Sequence, residues 1–179
     1  YNYTGDMRIA NICAVGGAHE KFFIVQDTAF DNFVQDFASC KDFDEHELVC
    51  KIGVVYGYSQ EELWKGNTTL EPVKKILEYC KKIGDEACYY GIANSIAIIF
   101  SARNDLMAVP RFKVVLNAVG SCRDMFKASN ITESHFCNSG ASFFRIVFYR
   151  DMDSAFLSCR DLTDYTKKNR CFGFIKTVS

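Results

Sequence analysis

Residues 76–88, Ile76-Leu77-Glu78-Tyr79-Cys80-Lys81-Lys82-Ile83-Gly84-Asp85-Glu86-Ala87-Cys88, set two cysteines on either side of a Gly-Asp break. Val73, Ile76, Leu77, Cys80 and Ile83 recur at three- and four-residue spacing, the buried stripe of an amphipathic helix. Thr69 opens that helix, Pro72 falls in its first turn, where a missing N–H is tolerated, and Gly84 ends it. Asp85 can then cap a second helix running to about Arg103, in which Ile92, Ile96, Ile99 and Phe100 predict burial on more than one side. A thiol late in one helix and another early in the next suits a disulfide at the corner, because a bridge needs Cα atoms within about 7 Å.

The same local pairing recurs. Cys40 and Cys50, Cys80 and Cys88, Cys122 and Cys137, and Cys159 and Cys171 are neighbours in sequence, with first members about 40 residues apart. Spacing alone leaves about a hundred connectivities open. Read as corner staples, the pairs are structural, each contributing about 2–4 kcal/mol, and not redox centres. Cys13 is left over: it is buried and inert, bonded to a cysteine outside these residues, or the link of a disulfide-bonded homodimer.

Helical periodicity covers most of the remaining chain. Phe30, Phe33, Val34 and Phe37 share one helix face behind a partial capping box at Thr28 and Asp31. Ser59 and Glu62 form a capping box before Leu63 and Trp64. Pro110 restarts the chain ahead of Phe112, Val115, Leu116, Val119, Cys122 and Phe126. Phe144, Val147 and Phe148 predict a further helix before Asp151, and Asp153 a cap for a last stripe of Phe156, Cys159 and Leu162. Between Leu48 and Tyr58 two patterns compete: alternation of Leu48, Cys50, Ile52, Val54 and Tyr56 suits a strand, whereas the acidic run Asp42 to Glu47 suits a first helical turn. Residues 1–26 have no clean period and read as irregular or extended. The fold expected is a mainly helical, disulfide-stabilised single domain over residues 1–179.

Composition bounds the function. The chain of 179 residues is 49% hydrophobic and 24% charged, and 21 basic against 22 acidic side chains leave a net charge of −1. That balance gives no electrostatic footprint for nucleic acid. No apolar run reaches the roughly 20 residues of a membrane span. The start at Tyr1, without a basic leader segment, suggests a mature form or an excised ectodomain. Nine cysteines without C-x2-C spacing or paired histidines argue against zinc and for an oxidising compartment. Three sequons, at Asn2, Asn67 and Asn130, point to N-glycosylation and hence to a secreted or extracellular protein.

Motifs for chemistry are sparse. Val15-Gly16-Gly17-Ala18 is a turn rather than a phosphate loop, and His19-Glu20 lacks the second histidine of a zincin. The acidic run lacks the spacing of a calcium loop, so neither metal nor cofactor is expected. His46 and His135 are assigned only surface or local hydrogen-bonding roles, and no catalytic residue is assigned. The sequence favours a secreted binding protein acting by protein–protein recognition. Two alternatives stay open: a carrier holding an apolar small molecule among the 16 Phe and 9 Tyr, and a cofactor-free, oxygenase-like enzyme acting on such a molecule.

Overall fold

A computed structural model describes residues 30–60, 69–102, 111–133, 135–149 and 151–178. Cys13, Thr28, the sequons at Asn2 and Asn67, Glu62 to Trp64, Pro110 and the glycine and histidine motifs at 15–20 lie outside the described residues. So do the side chains of Phe112, Val147 and Phe148. The protein is mainly helical, and no strand occurs among the described residues. The elements are α1 (Phe30–Ser39), a 3-10 stretch (Cys40–His46), α2 (Glu47–Gln60), α3 (Glu71–Ile83), α4 (Glu86–Ala102), α5 (Arg111–Ala128), α6 (His135–Tyr149), α7 (Met152–Arg160) and α8 (Tyr165–Val178). Two compact units divide within α4, between Ile92 and Ala93.

In the first unit, Phe33 and Phe37 of α1 are buried, Phe37 stacked on Phe33 and Phe33 against rings from α2 and α3. Phe33 lies 5.1 Å from Tyr58 edge-on and 5.6 Å from Tyr79, while the Tyr58 hydroxyl donates to Asp36 at 2.6 Å. Residues 48–58 are helix, not strand, with Ile52 through Ser59 all buried. Their alternation marks no pleat because every side of the helix is covered. Ser59 is not a cap: it sits in the last turn of α2 and its hydroxyl donates back to the Val55 carbonyl at 2.6 Å.

α3 starts at Glu71, with Leu70 rather than Thr69 in the cap position and Pro72 in the first turn. It stops at Gly84, whose φ of +72° is the left-handed conformation that glycine enters without strain. Asp85 then caps α4 by accepting from the Ala87 N–H at 2.8 Å. A β-carbon on Gly91 of α4 would stand 2.5 Å from that of Val55 in α2, so hydrogen alone fits at this approach.

In the second unit, α6 begins at His135, well before the Phe144 to Phe148 stripe that signals it in the sequence. Its early residues Asn138, Ser139, Gly140 and Ser142 are poor or neutral helix formers, all buried. Tertiary packing against α7 supplies what propensity lacks. Asp151, not Asp153, caps α7: its carboxylate accepts from the Ser154 N–H at 3.0 Å, and Asp153 falls in the first turn.

Candidate interaction surface

The four sequence-local cysteine pairs are joined: Cys40–Cys50, Cys80–Cys88, Cys122–Cys137 and Cys159–Cys171, with Cα separations of 5.6, 5.4, 5.7 and 5.7 Å. All eight cysteines are buried. Each bridge closes a short segment between consecutive helical elements, which fixes where the outward faces point.

The polar side chains group in three places. At the start of α4, the Lys51 ammonium lies 2.7 Å from both Glu47 and Asp85. Burial pulls its pKa down, but hydrogen bonds and charge from Asp85 and Glu47 outweigh that, and the net shift is upward from 10.5. This triad ties α2 to the corner before α4.

Between α6 and α7 runs a buried hydrogen-bonded seam. The Arg123 guanidinium donates to the Asn138 carboxamide oxygen at 2.9 Å, and the Asn138 amide donates to the Ser158 carbonyl. The Ser142 hydroxyl lies 2.7 Å from the Asn138 carbonyl and 2.9 Å from that of Ala155, and it contacts the Ser158 hydroxyl. One hydroxyl carries one proton, so Ser142 and Ser158 share these acceptors. Their chemistry is helix–helix fastening. Just beyond, Arg145, 3% exposed, pairs with Asp151, whose N–H donates to the Arg145 carbonyl at 3.2 Å. Hydrogen bonds from Ser154, then the Arg145 charge, hold the Asp151 carboxyl below its usual pKa of 3.8.

His46 and His135 are not surface groups. His46 is buried, and His135 is fully so, with Nδ1 3.2 Å from a Glu133 carboxylate oxygen at the start of α6. Seven residues, about 10 Å of helix, separate His135 from Ser142, so the two do not form a base–nucleophile pair. No cluster suited to holding a metal ion occurs among the described residues. No helix among them is long and apolar enough to cross a membrane.

Leu116, expected in the α5 stripe, is exposed, and two further surface features stand out. Asn130 is exposed with φ +59° in the turn after α5, followed by Ile131 and an exposed Thr132. Its backbone closes that helix, with the Ile131 N–H donating to the Phe126 carbonyl at 2.8 Å. On the α7–α8 hairpin, Tyr165 is 77% exposed and Leu157 53%, while the rings of half-buried Phe156 and Phe172 meet at a tilt, 5.9 Å apart. Sequence reasoning missed this patch because periodicity reports which residues face in, not which rings stay uncovered. Compared with known proteins, the chain matches no family model, no curated sequence and no solved structure.

Proposed function

We propose that the chain is a secreted, N-glycosylated recognition module that binds a protein partner. The observation that carries this reading is Tyr165, a large ring 77% exposed on a hairpin pinned by the Cys159–Cys171 bridge. Rigid, uncovered aromatic side chains contribute disproportionately to protein interfaces, because little conformational entropy is lost when they are buried. Four disulfides support an oxidising, extracellular setting. Asn130 supports glycosylation, since an oligosaccharide on an exposed turn residue displaces no packed side chain.

The test is native mass spectrometry of protein from its own source, before and after denaturation without reduction. Recognition expects a glycoprotein free of small ligands, and treatment with a glycan-removing amidase should convert Asn130 to Asp. A bound small-molecule mass lost on denaturation would replace this reading with the carrier. That second reading has its own support: the Asn94 side chain and the Ser139 hydroxyl are buried without a hydrogen-bond partner among the described residues, and a ligand's polar groups would satisfy them.

A further inference from the structure

Resting on the recognition reading above, we infer that the flank of α8 beside Phe156 docks an acidic segment of the protein partner. At 100° per residue, Tyr165, Lys168, Phe172 and Lys176 fall within an arc of about 80°, one side chain per turn. Cys171, Phe174, Ile175 and Val178 are buried on the adjoining side, so Tyr165 and Lys176 of this face are exposed while Lys168 and Phe172 are half-buried. The face therefore alternates ring and ammonium along roughly 17 Å of helix. Phe156 of α7 widens it beside Phe172.

Charge selects the occupant. The α8 sequence holds Lys167, Lys168, Arg170 and Lys176 and no carboxylate, in a chain whose net charge is −1. The nearby acids have other places or partners. Asp151 pairs with Arg145, Asp164 accepts from the Lys167 N–H at 2.9 Å as a cap, Asp161 lies in the corner, and Asp153 lies at the far end of α7. Lys167 turns to the flank, donating to the Thr132 carbonyl at 3.2 Å, which puts the Asn130 turn beside α8 and off the ring–ammonium face. By contrast, α3 neutralises its own lysines: Lys74 lies 2.6 Å from Glu71 and Lys81 3.1 Å from Glu78.

Carboxylates spaced to meet Lys168 and Lys176, about 12 Å apart along the helix, with an apolar side chain between them for Phe172 and another beyond Lys168 for Tyr165, complement this pattern. A nucleic acid or anionic membrane fits less well. Each relies on long-range attraction that a net charge of −1 does not supply.

The test uses the intact glycoprotein and an immobilised 14-residue peptide of Glu, Leu and Phe. Its Gln-for-Glu counterpart, a heparin oligosaccharide and phosphatidylserine vesicles run in parallel. The acidic peptide should bind best, weaken with salt, lose about tenfold in affinity on K168E/K176E and lose severalfold on Tyr165→Ala. The charge reversal K74E/K81E on α3 should leave binding unchanged. Unchanged helical circular dichroism in each variant separates docking from folding. No binding, binding indifferent to K168E/K176E, or preference for heparin or vesicles overturns the assignment. The recognition reading fails separately: a native partner protein retained equally by K168E/K176E keeps recognition and removes this face, whereas a bound small molecule in the native mass removes both.

Discussion

In residues 30–92 the helices meet through rings, with Phe33 against Phe37, Tyr58 and Tyr79. In residues 93–178, α6 and α7 meet through Asn138, Ser142 and Ser158, whose polar atoms reach the carbonyls of both helices. Rings are held by area and tolerate small slides of one helix past another. A hydroxyl bonded to a neighbouring helix tolerates none, because the bond weakens steeply with angle and a buried carbonyl loses its partner. The first unit should accordingly respond to lost volume, and the second to lost partners.

Phe33→Ala is the severest test of the first half of that contrast. Phe33 is fully buried, and removing its ring should cost about 4 kcal/mol, read as a lower denaturant midpoint with the disulfides intact. A cost below about 1 kcal/mol would mean that the ring cluster does not hold α1. Asp151→Ala comes next for the second unit. It removes a cap and one partner of the buried Arg145 guanidinium, together about 2 kcal/mol. The folded carboxyl titrates below 3.8, so its contribution is complete at higher pH and is lost as pH falls through the folded value. The gap between wild type and Asp151→Ala should therefore narrow only in acid below pH 3.8. A gap already closing near neutrality would assign the effect elsewhere.

Ser142→Ala against Ser59→Ala sharpens the comparison at smaller scale. Both hydroxyls are buried. Ser59 returns its proton to its own helix at Val55, whereas Ser142 also reaches Ala155 across the α6–α7 seam. The Ser142 change should cost about 1 kcal/mol more. Equal unfolding midpoints would show that the seam is filler.

The corner at residues 76–88 was legible because each signal was local: Pro72 starts, Gly84 stops, Asp85 caps, and both cysteines follow from that geometry. α2 was ambiguous for the opposite reason. A helix buried on all sides has no polar face, and its β-branched residues then mimic a strand. The first half of α6 was hidden by Asn138, Ser139, Gly140 and Ser142, residue types that signal loops until a partner helix engages them. Asp151 and Asp153 are chemically equivalent, and only the helix register decides which one caps. Of the candidate surface, the charges of α8 could be counted from sequence, but the exposure of Tyr165 depends on what packs beside it and leaves no local mark.

The smallest effect concerns the two non-glycine residues with positive φ among the described residues, one in each unit. Asn130 has φ +59°, the left-handed conformation that asparagine tolerates after a helix. Asp44 has φ +47° and ψ −117°, the first central position of a type II′ turn, which favours glycine. Its β-carbon is strained there, between Cys40 and Cys50, which are bonded to each other. Asp44→Gly should therefore raise stability by about 0.5–1 kcal/mol despite the entropy glycine adds to the unfolded chain, whereas Asn130→Gly should change it little. Asp44→Asn separates backbone from charge, since it removes one of the carboxylates crowded between Asp42 and Glu47 but keeps the β-carbon. A gain from glycine well above that from asparagine places the strain in the backbone. Equal gains would place it in the repulsion among the acids and would remove the contrast between the two turns.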